Sequence, residues 1–285
     1  MNQFSAPSRF EITAARSKSG KTFIEDSFFT SPFKIMKPFE KEDGGISVFL
    51  QSASPGILAG DIQEHKINVK KGAKLEIRGQ SFEKIFKMEE VQKAERKIFG
   101  EIADEATLIY SPLPCIPFSQ SNFSSTTEIH LAKNARLIYE DCICAGRCAH
   151  GEVFDFTLYK NLIKIYREEK LIFRDNAFFE GSCGGKNPAK KEMLMGKTMF
   201  GNFTHCGSLL IFGFSEKTDV KKIRKALSLE EKLLYTEDLI SRFNKPGQVL
   251  VEASETDFGD IVVRALGNSA ENIQKIFEMV KAEVK

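Results

Sequence analysis

From about Arg9 to Phe214, apolar and polar residues alternate with the two-residue period of half-buried β-strands. Examples are Lys66-Ile67-Asn68-Val69, Lys74-Leu75-Glu76-Ile77, Glu128-Ile129-His130-Leu131 and Asn161-Leu162-Ile163-Lys164-Ile165. Short polar turns separate them, among them Lys70-Lys71-Gly72 and Glu168-Glu169-Lys170. The text GAKLEI, beginning at Gly72, returns in kind as EATLIY from Glu105, NARLIY from Asn134 and, more loosely, EEKLIF from Glu168. These copies align Leu75, Leu108, Leu137 and Leu171 at a period of about 30 residues. A repeated strand–turn–strand unit predicts a wound or stacked β-architecture in which each unit covers its neighbour's apolar face.

Beyond Phe214 the period becomes helical. Val220, Ile223 and Leu227 mark a short amphipathic helix over Asp219–Leu227, and Ser228-Leu229-Glu230-Glu231 has the spacing of a capping box that opens a second helix toward Phe243. Lys245-Pro246-Gly247 stops that helix, and strands are expected over Gln248–Ala253 and Asp260–Leu266. Ser269 caps a final helix whose Ile273, Ile276, Phe277 and Val280 form one stripe. Gly181–Lys191, GSCGGKNPAKK, reads as a flexible basic loop. Ser111–Phe118, SPLPCIPF, is too proline-rich for a helix and reads as a buried crossover, with a partner-binding strip as the alternative. The expected fold is mainly β, superhelical or stacked, with two or three helices near the C-terminus. One domain spans 1–285, β-rich to 214 and helix-containing from 215.

Composition narrows the function. With 285 residues, 42% apolar and 28% charged, the chain can bury a substantial core, and its 25 phenylalanines stand in for the missing tryptophan. A net charge of +2 without a basic block lacks the footprint of a nucleic-acid binder. No apolar run of roughly 18 residues suits a membrane span. The first residues also lack a signal-type apolar core, so a cytoplasmic protein with its six cysteines as thiols is expected. No phosphate-binding loop, nucleophile elbow or H-E-x-x-H motif occurs, and four scattered histidines define no triad. The chain reads as a protein that holds or passes something, not as an enzyme.

Candidate chemistry concentrates in EDCICAGRCAHGEVFDF, Glu140 to Phe156, where acids and thiols interrupt an apolar strand. Strand alternation places Glu140, Cys142 and Cys144 on one face and Asp141 on the other. Cys142, Cys144, Cys148 and His150 allow a zinc- or redox-active site, although C-x-C-x3-C-x-H departs from the usual C-x2–4-C pairs and small-residue packing is the alternative. Glu140, Asp141, Glu152, Asp155 and Asp175 either pair with Arg147, Arg174 and Lys84 or, facing an interior together, suit a partly hydrated divalent cation. Asp61 sits among glycines at a strand start, where an ordinary capped turn is the simpler reading. A solenoid-type carbohydrate enzyme using Glu140 and Glu152 is a third reading, and the missing Trp platforms weigh against it.

In order, PGILAGD (Pro55–Asp61), GQSFEKI (Gly79–Ile85), PLPCIPF (Pro112–Phe118), EDCICAGRCAHGE (Glu140–Glu152), LIFRDN (Leu171–Asn176), MFGNFTH (Met199–His205) and VVRALGNSAENI (Val262–Ile273) resemble the UreD/UreH-type urease accessory proteins. The resemblance implies a superhelical β fold with C-terminal helices and a non-enzymatic scaffold. It implies a UreF-type partner that recruits a UreG-type GTPase, docking of that assembly on apo-urease, and GTP-driven nickel insertion. No cofactor is tightly bound on this view; nickel passes transiently through a water-filled tunnel. Asp61, Ser81, Glu140, Asp141, Glu152 and Asp175 are then the candidate lining residues, with Lys84 and Arg147 organising them. Cys142, Cys144 and Cys148 depart from the small or apolar residues expected there, and 181–195 is longer and more basic than the family pattern.

Overall fold

The computed structural model describes residues 6–214, 219–231 and 249–284. Strands β1 (Ser8–Arg16), β2 (Thr22–Phe29), β6 (Ile62–Val69), β9 (Ala94–Ile102), β12 (Asn122–Leu131), β14 (Leu158–Arg167) and β15 (Lys170–Glu180) form one sheet, in the order β15-β14-β12-β9-β6-β1-β2. The facing sheet contains β3 (Phe33–Ile35), β5 (Ile46–Ser52), β7 (Lys74–Gly79), β10 (Thr107–Ser111), β13 (Arg136–Cys144), β16 (His205–Phe212), β17 (Val249–Glu255) and β18 (Ile261–Gly267). Its order is β17-β18-β16-β13-β10-β7-β5-β3. Short β4 (Phe39–Glu40) flanks β5, while β8 (Glu83–Ile85) and β11 (Cys115–Pro117) pair beside β13.

The middle of both sheets is parallel, because the chain alternates between them: β6 to β7, β9 to β10, β12 to β13. Each crossing uses the same turn. The N–H of Ala73 donates to Lys70 O (3.0 Å), that of Ala106 to Ala103 O (3.1 Å) and that of Ala135 to Ala132 O (3.1 Å). Bonds of 2.9 Å from Thr107 N–H to Ala73 O and from Arg136 N–H to Ala106 O stitch successive turns together. The three alanines are fully buried where the turns meet, and the coils stack at strand spacing. Leu75 pairs with Leu108, and Leu108 with Leu137, all buried between the sheets.

The fourth repeat copy does not continue this winding. Glu168 and Glu169 both take positive φ, +49° and +65°, and turn the chain back so that β15 runs antiparallel to β14 in the same sheet. Leu171 is therefore 43% exposed, unlike its three counterparts. The segment SPLPCIPF does cross between the sheets, contributing β11 on the way.

Among the described residues the helices are α1 (Pro188–Leu194), α2 (Val220–Glu231) and α3 (Ala270–Val284). Helix α1 begins inside Gly181–Lys191, the segment expected to be a flexible loop, and runs past its end; Pro at its first turn suits helix initiation, and buried Leu194 anchors its end. Asp219 Oδ1 accepts the Lys222 N–H (2.7 Å) at the start of α2. This helix runs through Ser228, where a second was expected to open, and the remainder of that expected helix lies outside the described residues. Ile273, Phe277, Val280 and Val284 of α3 pack on the outer face of the second sheet. A β-carbon at Gly207 would lie 2.7 Å from Ile273 Cγ2, so that glycine sets how closely helix and strand approach. Arg167 pairs bidentately with buried Asp260, tying β14 to the β17–β18 corner.

If the coil leucines carry the fold, Leu108→Ala costs about 2–5 kcal/mol in denaturant unfolding. Leu171→Ala stays within about 0.5 kcal/mol of the parent. Equal losses would contradict the assignment of three stacked coils and one reversed strand.

Candidate functional site

Adjacent acids on β13 face opposite ways. Ile138, Glu140 and Cys142 point outward beneath α3, whereas Leu137, Tyr139 and Asp141 point between the sheets. Glu140 Oε1 accepts Ser111 Oγ–H (2.7 Å) and Lys281 Nζ (2.5 Å), the lysine side chain being only 3% exposed. Burial alone would lower the Lys281 ammonium, but the Glu140 charge and hydrogen bond outweigh it and hold it above its usual range. Glu140 thus anchors α3 and takes no part in the space between the sheets.

That space carries a polar seam at one side of an otherwise apolar core. Buried Gln63, Arg96, Ser125 and Asn161 are register partners on successive strands β6, β9, β12 and β14. One layer deeper, His65 and Thr127 meet stacked Tyr110 and Tyr139, whose ring centroids lie 5.4 Å apart. His65 Nδ1 and the Tyr110 hydroxyl share a 3.3 Å hydrogen bond, and Thr127 Oγ1 and the Tyr139 hydroxyl one of 3.1 Å. At the far end, Asp141, Ser208 and Arg264 are in register across β13, β16 and β18. Arg264 Nη1 donates to Asp175 Oδ2 and to Ser208 Oγ, each at 2.7 Å, bridging the two sheets.

The other end opens on a cavity of about 90 Å³ lined by Gln63, His65, Glu83, Arg96 and Tyr110, with exposed Ser81 and Lys84 at its margin. Arg96 donates two bonds to Gln63 Oε1 (2.9 and 2.7 Å) and pairs with Glu83; its guanidinium lies 5.5 Å from the Phe123 ring centroid. The Cys115 thiol contacts Glu83 Oε2 at 3.6 Å. His65, 4% exposed and edge-on to Phe10 and Phe33, is held neutral, because burial pushes its pKa well below the ordinary range and Arg96 adds to the effect. His65 Nε2 and Asn161 Oδ1 are buried without a protein partner. Orphaned atoms of this kind call for water or a ligand.

Charge along the seam is unevenly matched. Glu83 has Arg96 and Asp175 has Arg264, whereas among the described residues Asp141 has no ion-pair partner. Burial pushes its carboxyl up to about 6; a bond from Asn161 and the Arg264 and Arg96 charges oppose this, while the nearby Asp175 charge adds to it. Carboxylate oxygens, a neutral imidazole and a thiol are ligand types acceptable to a borderline divalent cation.

The remaining predicted residues lie elsewhere. Asp61 Oδ2 accepts the Leu58 N–H (2.8 Å), capping the turn before β6. Glu152 is paired bidentately with Arg147, whose guanidinium lies 4.3 Å from the Phe118 ring centroid, and accepts the Ser119 N–H. Asp155 accepts Ser182 Oγ–H and Lys191 Nζ. The expected Cys142, Cys144, Cys148 and His150 grouping does not form. Cys142 is packed in the core beneath α3, His150 is exposed on a 3-10 turn (Cys148–His150), and only Cys144 and Cys148 approach each other. Among the described residues no three His, Cys, Asp or Glu side chains converge as a metal site. The seam's Gln63, His65, Arg96, Asn161 and Arg264 were missed. Each leaves a trace, a polar residue in the apolar phase of its strand, as Arg96 does between Ala94 and Ile98.

The fold and the site together define a wound β-sandwich with a polar seam between its sheets. The chain belongs to the UreD family of urease accessory proteins, whose sequence profile matches residues 7–284. It is 35% identical to the urease accessory protein UreH of Helicobacter hepaticus over 96% of each chain. It is 34% identical to the urease accessory protein UreD of Acetivibrio thermocellus over 98% of each. To UreH of Helicobacter pylori strain HPAG1 it is 34% identical, over 74% of this chain and 76% of that one. No helix among the described residues is long and apolar enough to cross a membrane.

The Asp141 carboxyl makes a signed stability statement. Its pKa rises from 3.8 to about 6 on folding, so the folded state holds the extra proton between those values. Stability contributed by this group is full below about pH 4 and is lost as pH rises through 6. Asp141→Asn is expected to raise stability by on the order of 1–3 kcal/mol at pH 7.5. Thermal unfolding across pH should show that gain shrinking toward pH 4; a constant gain or a loss would contradict the buried-charge account.

Proposed function

We propose that this chain is a non-catalytic scaffold of urease maturation that joins a UreF-type protein and, through it, a UreG-type GTPase on apo-urease. The seam between its sheets is the route along which nickel, as cargo, moves during GTP-dependent insertion. Membership of the UreD family supports the maturation role. One observation carries the route: polar side chains aligned coil after coil through the core, with orphaned His65 Nε2 and Asn161 Oδ1 along it.

A conduit needs sites that attract a cation without trapping it. Asp141 supplies a carboxylate with no direct ion pair among the described residues, while Glu83 and Asp175 are each paired with an arginine. Retention of a half-buried acid without an ion pair among the described residues lowers stability, and on this reading that cost serves attraction of the metal.

The test is co-expression of this chain with UreF-type and UreG-type partners and apo-urease. Asp141→Asn should leave recovery of the accessory complex unchanged while lowering urease activity and nickel content several-fold. The variant would then be more stable and less competent. Full activation by an intact complex would remove Asp141 from the route, and loss of the complex would assign it a structural role.

A further inference from the structure

We propose that Cys144 and Cys148 are a reversible dithiol–disulfide pair, a modification site that closes the turn following β13. Their sulfurs lie 3.7 Å apart, the only cysteine–cysteine contact among the described residues, and all six thiols are free. The backbone presents them to one another. Gly146 between them adopts φ +141°, and a β-carbon there would lie 2.6 Å from Glu152 O, so only glycine permits this path. Ala145 N–H donates to Thr204 O (2.6 Å) and Phe154 N–H to Ala145 O (2.7 Å), fixing both sides of the turn.

The two sulfurs are inequivalent. Cys144, the last residue of β13, is buried, its sulfur 2.9 Å from Gly146 O. Cys148 opens the 3-10 turn and is only half-buried, so a small reagent reaches it first. The hydrogen bond with Cys144 holds the Cys148 thiol down to about 7, and the same bond, with burial, raises Cys144. Cys148 is therefore the attacking thiolate and Cys144 the resolving thiol. Bond formation at about 2.05 Å requires the half-exposed Cys148 side chain to move inward, a change the turn can absorb more readily than the strand.

With a low-molecular-weight disulfide as oxidant, the Cys148 thiolate attacks one sulfur, forms a mixed disulfide and expels one thiolate. Cys144 then loses its proton, attacks the Cys148 sulfur and expels the second. Two protein thiols are oxidised by two electrons, and one external disulfide is reduced to two thiols. Arg147 and Glu152 belong to the same turn, so the bond would hold their ion pair against β13.

The test uses the full chain, reduced anaerobically and then equilibrated with oxidised and reduced glutathione at pH 7.5. Peptide mapping and mass measurement after alkylation should find one bond, Cys144 to Cys148, reversed by dithiothreitol. Cys144→Ser should instead retain one glutathione on Cys148, and Cys148→Ser should form no bond at Cys144. A stable glutathione adduct on wild-type Cys148, a bond between other cysteines, or no reaction in wild type would each overturn the proposal.

Discussion

Coil-to-coil register is the constraint from which the rest of the structure follows. Three turns of the same shape place Ala73, Ala106 and Ala135 above one another and deliver Leu75, Leu108 and Leu137 into one ladder. A slip of one residue would move every inward side chain to the outside, so the apolar layer fixes the register strongly. Once fixed, the register also governs positions it was not selected to pack. Gln63, Arg96, Ser125 and Asn161 share a phase and therefore become a continuous polar line through the core.

Such a line has a cost in a region of low dielectric. Arg96 and Asp175 recover part of it through Glu83 and Arg264, but Asp141 has no ion pair of its own among the described residues and leans on an amide bond and on the more distant Arg264 and Arg96 charges. A core designed for stability alone would place an apolar residue there. The contrast with Glu140, its chain neighbour, is instructive. Glu140 is the more deeply buried of the two, yet Lys281 and Ser111 satisfy it and make it a fastening for the C-terminal helix. Two carboxylates one residue apart thus serve different ends, because a strand's alternation sends them into different environments.

The turn after β13 adds a third environment on the same strand. Here the apolar ladder ends and the chain must reverse around Gly146, which leaves Cys144 and Cys148 facing each other. Assembly framework, polar seam and thiol pair therefore share one element, and each draws on a different face or end of it.

Much of this was legible in the chain. Alternation and the repeated A-x-L text determined a stacked β fold, because packing against a copy of oneself needs the same small and large residues at each turn. Ser269 and the Ile273–Phe277–Val280 stripe determined the last helix, and ordered motifs pointed to the family. Alternation also separated Glu140 from Asp141. Tertiary structure alone decided what each acid meets, since Lys281 lies 141 positions from Glu140 and Arg264 lies 89 from Asp175. It likewise turned Leu171 outward and scattered the cysteine grouping, because local spacing does not specify where a chain reverses. Periodicity is a property of neighbours along the chain, whereas charge pairing depends on long-range closure, which no local pattern encodes.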